Sequence, residues 1–118
     1  MPLNVQQTEV FRSRLSRLKN SAFWRRFKST RYRAQVSRVL WASKRLRDKS
    51  DDELKELSRK YHEQASRGRS VNSLLVPAFA LVRETSRRVL GMEHFPVQVL
   101  AGIALHRGHM IEAATGEG

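Results

Sequence analysis

Cysteine is absent from this 118-residue chain. That excludes a disulfide scaffold and a cysteine-based zinc site. Proline occurs three times and never between positions 3 and 76, and glycine does not occur before position 68. Nothing in the first half of the chain therefore breaks a helix. Long apolar runs are missing as well. The longest, Leu74–Val82, has nine residues and contains Pro77, whereas a membrane-spanning helix requires about 20. The N-terminus has no short basic region followed by an apolar stretch, so no secretory signal is expected. What is present is ordinary in amount, with 40% hydrophobic and 8% aromatic residues. A chain of this length has room for one domain, which buries about two thirds of its unfolded surface.

Negative charge is scarcest in residues 1–47, where Glu9 alone stands against thirteen Lys and Arg. Residues 48–118 hold ten of each sign, so the whole net charge of +12 belongs to the first stretch. This divides the chain into a basic amphipathic helical arm over 1–47 and a neutral body over 48–118. The arm meets an anionic surface, either phospholipid headgroups or nucleic-acid phosphates, or it is a solvated tail with no dedicated partner. Phe11, Leu15, Leu18 and Ala22 recur at helical steps, Phe23 and Phe27 extend the stripe, and Tyr32, Val36, Val39, Leu40 and Leu46 form a second one. Arg12, Arg14, Arg17, Lys19, Arg25, Arg26 and Lys28, with Trp24 among them, are the candidate lipid- or nucleic-acid-binding residues. A basic amphipathic helix of this kind lies on a membrane surface or binds a partner; alternatively its stripe packs on the protein's own body. The second alternative is favoured for residues 34–47, and for residues 8–28 both stand.

The body reads as helices. Ser50-Asp51-Asp52-Glu53 is a capping box, and its aspartates suit the positive end of a helix dipole. Leu54, Leu57, Tyr61 and Ala65 share a face, and Gly68 ends the helix. Residues 66–73 read as a polar connector. Pro77 then suits the first turn of a helix running to about Leu90, with Phe79, Val82, Val89 and Leu90 as its apolar face and Arg83, Arg87 and Arg88 as its polar one. Gly91 stops it, and Pro96 opens another with Val97, Leu100, Ile103 and Ala104 inward and Gly108 closing it. Met110–Ala113 is a short apolar run expected to be a strand. A lone strand cannot satisfy its own backbone, so it belongs to a sheet that these residues do not contain. There is no internal repeat and no low-complexity tract.

The run Ala113-Ala114-Thr115-Gly116-Glu117-Gly118 has the spacing of a phosphate loop after a strand, in which loop amides cradle phosphates ahead of a Lys and a Mg²⁺-binding hydroxyl. Its neighbours give it context. Ser-Asp-Asp-Glu-Leu-Lys at 50–55, Pro-Ala-Phe-Ala-Leu-Val-Arg-Glu at 77–84, Arg-Val-Leu-Gly-Met at 88–92, His94-Phe95, Val97-Gln98 and Ala-Thr-Gly-Glu-Gly at 114–118 occur in the order and spacing of SecA. Residues 50–118 thus resemble the N-terminal part of that family, the motor ATPases of bacterial preprotein translocation.

The resemblance implies a mainly α fold: the helical N-terminal segment of a RecA-like motor domain, with at most one terminal strand leading into a truncated P-loop. It implies that Met92 and Phe95 lie against adenine with Gln98 at its edge, and that Thr115, Gly116, Glu117 and Gly118 are phosphate-loop positions for ATP or ADP with Mg²⁺. It further implies the Sec translocon, preprotein and an anionic membrane as partners, and a cytoplasmic protein peripheral at the inner membrane. Three positions depart from the family pattern: Glu93 stands where Arg is usual, Pro96 where Asp is usual, and Ala113 where Met is common. The phosphate-loop Lys, the Walker B carboxylates and a second lobe are not among the 118 residues. The expectation for these residues alone is weak, adenine-led binding without hydrolysis.

Other constellations carry less. His94, His106 and His109 have no standard metal-ligand spacing. Glu112 and Glu117 would repel a phosphate and are assigned no catalytic role. Ser58, Ser66, Ser70 and Ser86 have no His–Asp partners in register. A stand-alone basic module binding RNA or the ribosome is the alternative function, with Phe23, Trp24, Phe27 and Tyr32 available for stacking on bases.

Overall fold

The protein, seen in a computed structural model, is described over residues 30–109 and 111. The first amphipathic stripe, the expected strand at 110–113 apart from Ile111, which is not in a strand, and the phosphate-loop positions 115–118 lie outside those residues. Four α-helices and one short 3-10 turn make up the described part: α1 (Thr30–Arg45), the 3-10 turn (Leu46–Asp48), α2 (Asp51–Ser66), α3 (Val71–Leu90) and α4 (Pro96–His106). There is no strand among the described residues, and none of their helices is long and apolar enough to cross a membrane.

The helices begin and end where local chemistry dictates. Ser50 Oγ accepts from the Glu53 amide at 3.2 Å while the Glu53 carboxylate accepts from the Ser50 amide at 2.7 Å, closing the capping box of α2. Gly91 ends α3 at φ +67°, a left-handed conformation that a side chain would strain. Pro96 occupies the first turn of α4, where its missing N–H costs nothing.

The core joins α1, α3 and α4. Val36, Val39, Leu75, Val99, Leu100 and Ile103 are buried together, with Tyr32, Leu40, Val76 and Phe79 packed around them. Each fully buried aliphatic side chain contributes about 1.5–3 kcal/mol. The second stripe of the basic arm thus faces the protein's own core, as favoured for residues 34–47. Gly102 lets α3 and α4 approach closely: a Cβ there would come within 3.0 Å of the Phe79 ring. Helix α1 runs antiparallel to α4, with Tyr32 Oη 2.9 Å from His109 Nε2 and Arg107 donating to Gln35 at 2.8 Å. Helix α2 packs on α3, burying Leu54, half-burying Leu57 and Tyr61, and leaving Ala65 exposed.

Two expectations for α3 are corrected. The helix starts at Val71, so Pro77 lies inside it rather than in its first turn. Leu74 and Leu75 are both buried, Leu75 in the core shared with α1 and α4, and their burial holds the extra turn in place despite the amide that proline lacks. The expected faces are also exchanged beyond Leu81. Val82, Val89 and Leu90 are exposed, whereas Glu84 is buried and the Arg83 and Arg88 side chains are largely covered.

Candidate functional site

The segment from Gly91 to Phe95 joins α3 to α4 and carries two of the three residues read as facing a base. Its backbone is tied down residue by residue. Ser86 Oγ donates to the Met92 carbonyl at 2.9 Å. Arg83 Nε donates to the His94 carbonyl at 3.0 Å. The Phe95 amide donates to the Gln98 Oε1 at 2.8 Å, so Gln98 caps the start of α4 with its side chain. The apolar side chains of this anchored segment face outward, Met92 at 65% and Phe95 at 37% exposure. The structure therefore brings Phe95 and Gln98 together and sets Met92 on the same short segment.

Around the segment lies a network of arginines and carboxylates that composition alone does not reveal. Arg83 reaches three ways: to the His94 carbonyl, to Glu93 Oε2 at 3.1 Å and to Ser43 Oγ at 2.8 Å. Ser43 is itself buried and donates to the Leu40 carbonyl. Glu93 Oε1 also accepts from Arg47, and Arg87 Nε stands 4.0 Å from it. Glu84, 1% exposed, accepts from Arg87 at 2.8 and 3.0 Å and from Arg88 at 2.8 Å. The Arg87 hydrogen bonds hold the Glu84 carboxyl below the usual carboxylate range; burial opposes them and the Arg88 bond reinforces them.

Arg88 goes further. It donates to the carbonyls of Leu46, Arg47 and Lys49 at 3.0, 3.3 and 2.7 Å and to Asp51 at 2.6 Å. These carbonyls lie where α1 gives way to α2, and a helix end leaves such groups without intrahelical partners. Glu84 with Arg87 and Arg88 was legible in the sequence as an i, i+3 and i, i+4 pattern. The ties of Arg83 to Ser43 and of Arg88 to residues 46–51 span about 40 positions and leave no periodic signal.

A separate apolar groove of about 800 Å³ runs between α2 and α3, lined among others by Leu54, Leu81, Val82, Val89 and Leu90. It does not include Met92, Phe95 or Gln98. Two of the histidines make contacts near helix ends: His106 Nε2 lies 2.7 Å from Asn72 Oδ1, and His109 meets Tyr32. The candidate basic residues Arg12, Arg14, Arg17, Lys19, Trp24, Arg25, Arg26 and Lys28 lie outside the described residues, as do Thr115, Gly116, Glu117 and Gly118.

The described residues thus end in an anchored Gly-Met-x-His-Phe turn followed by a Gln-capped helix. Residues 18–118 match the family model of the SecA DEAD-like domain. The chain is 46% identical over 88 residues to the protein translocase subunit SecA of Carboxydothermus hydrogenoformans, covering 75% of this chain and 10% of that protein. It is 49% identical over 69 residues to the SecA subunit of Ehrlichia ruminantium, covering 58% of this chain and 8% of that protein. To the chloroplastic SecA of Ostreococcus lucimarinus it is 46% identical over 88 residues, covering 75% and 9%. No solved structure matches. The chain belongs to the SecA family, and it spans about a tenth of the length of the curated relatives it matches.

Proposed function

We propose that these residues supply the adenine-receiving turn and the approach to the phosphate loop of a SecA-type protein-translocating ATPase. The observation that carries the reading is the Gln98–Phe95 bond at 2.8 Å. It sets a carboxamide, which bears donor and acceptor together, beside an outward aromatic ring. That pairing is what an adenine edge and face require. Met92 adds a polarisable side chain on the same turn. Thr115, Gly116, Glu117 and Gly118 are the proposed phosphate positions for ATP or ADP. Mg²⁺, when bound with the nucleotide, neutralises charge on the phosphates.

The working division is a basic arm over 1–47 and the start of the nucleotide-binding domain over 48–118, with the inner face of α1 in the common core. The arm's thirteen cations against one acid support its placement at an anionic membrane, since each Lys or Arg near such a surface contributes about 1 kcal/mol. On this reading the protein works on the cytoplasmic side, peripheral at the inner membrane, with the Sec translocon and preprotein as partners. RNA or the ribosome is the alternative target of the arm.

Titration of the 118-residue chain with ADP and GDP tests the adenine turn. ADP is expected to bind at about 1 mM, some 4 kcal/mol, with GDP weaker and Gln98→Ala abolishing the difference. Binding that ignores the substitution overturns the assignment. For the arm, co-sedimentation with anionic and neutral vesicles across a salt series is run beside single-stranded RNA. Membrane binding predicts a salt-resistant remainder and a Trp blue shift on anionic lipid alone. Binding to RNA alone, falling log-linearly with salt, overturns it.

A further inference from the structure

Glu93 is unlike its neighbours on the α3–α4 turn. Met92 and His94 are exposed, whereas the Glu93 side chain is 29% exposed and turns back toward α1 and α3. Its two oxygens engage different elements. One accepts from Arg47, past the end of α1, and the other accepts from Arg83 on α3 at 3.1 Å. Arg87, also on α3, stands 4.0 Å away. Arg83 then grips the next residue through the His94 carbonyl and reaches Ser43 on α1. One carboxylate thus draws three guanidinium groups to a turn that would otherwise face them as mutually repelling cations. Glu84 is already engaged by Arg87 and Arg88, so Glu93 is the carboxylate that answers Arg83 and Arg47. The apolar core of α1, α3 and α4 closes without it, since none of the core residues lies between 91 and 95.

We propose that Glu93 is the positioning residue of the adenine-receiving turn: by clasping Arg47 and Arg83 it fixes residues 92–95, and so sets how Met92 and Phe95 meet the base. The proposal rests on the reading of Met92, Phe95 and Gln98 as the adenine subsite. Its chemistry belongs to this chain, because an Arg at position 93 would set a fourth guanidinium among Arg47, Arg83 and Arg87.

The test uses the full chain, isotopically labelled, as wild type, Glu93→Gln, Glu93→Arg and the double variant Glu93→Arg with Arg47→Glu. ADP is titrated while the Met92 methyl signal is followed, and amide exchange is measured without nucleotide. Glu93→Gln is expected to weaken ADP binding at least fivefold and to speed exchange at the Phe95 amide, the one the turn ties to Gln98, at least tenfold. Exchange at Val39, Leu100 and Ile103 should stay as in the wild type. Glu93→Arg should do more, and Arg47→Glu should recover part of the loss by restoring one opposite-charge pair. If Glu93→Gln binds ADP within twofold of the wild type, the positioning role is overturned and the adenine reading stands. If core exchange rises together with the loss of binding, Glu93 is a stability residue only and the proposal is overturned. If wild-type ADP binding leaves Met92 unmoved or does not occur, the adenine reading falls and takes the positioning role with it.

Discussion

The two halves of α3 are held by opposite chemistries. Up to Leu81 the helix buries aliphatic side chains, Leu74, Leu75, Ala80 and Leu81, as an amphipathic helix ordinarily does. Beyond it the pattern turns over: Val82, Val89 and Leu90 face out, and Arg83, Glu84 and Arg88 are covered. The difference lies in what each half meets. The first half meets the side chains of α1 and α4. The second meets a chain reversal, where Arg88 donates to the carbonyls of Leu46, Arg47 and Lys49. The Leu46 carbonyl also accepts from the Lys49 amide at 3.1 Å, so an aliphatic side chain in place of Arg88 would forfeit chiefly the bonds to the carbonyls of Arg47 and Lys49, about 0.5–1.5 kcal/mol each. A guanidinium with five donors fits several of them at once.

Substitutions in the two halves and their partners should separate these chemistries. Leu100→Ala, at a position with no solvent exposure, removes a core side chain that serves the apolar half. It should cost about 2–5 kcal/mol, read by urea or thermal unfolding. A loss below about 1 kcal/mol would mean that the apolar core does not carry the fold.

Glu84→Gln strikes the polar half. The carboxylate is covered mainly by its own arginines, which reach water, with Arg87 37% and Arg88 20% exposed. Screening therefore keeps the cost to about 1–2 kcal/mol. The hydrogen bonds from Arg87 hold the folded pKa of Glu84 below the ordinary value of a glutamate, about 4.5. Its contribution is then fully present above that value and is lost as pH falls through the folded pKa. Wild-type stability should drop on acidification below about pH 4.5, and the Glu84→Gln profile should be flatter across the same window. Parallel profiles would remove Glu84 from the account.

Ser50→Ala removes the side-chain acceptor of the α2 cap and should cost about 1 kcal/mol, with exchange rising first at the α2 N-terminus. Val89→Ser is the control on the turned-out face. At 74% exposure, it should change stability by no more than about 0.5 kcal/mol. A larger loss would show that the outward aliphatics are packed in solution.

These contrasts also mark what the sequence made legible. Helix ends were readable because caps act locally: Ser50 with Glu53, Gly91, Pro96 and Gly108 each announce a boundary within four residues. The interior of α4 was readable from its period. Pro77 misled because proline usually marks a first turn, and here the burial of Leu74 and Leu75 extends the helix past it. The faces of α3 misled because hydropathy ranks arginine as exposed, whatever carbonyls await it. For the site, Met92, Phe95 and Gln98 came from the family resemblance. Glu93 was visible only as a departure from it, and its partners Arg47 and Arg83 lie 46 and 10 positions away.

The antiparallel seating of α1 on α4 has a consequence for synthesis. Val39 packs in one cluster with Ile103, which follows it by 64 residues in the order of translation. At about 5–20 residues per second the inner face of α1 waits roughly 3–13 s for its last partner. During that interval the basic stretch ahead of α1 has already emerged, while α2 has its capping box and its Arg59–Glu56 and Arg67–Glu63 pairs within its own turns. The nascent protein thus presents its cationic end before it owns a closed core.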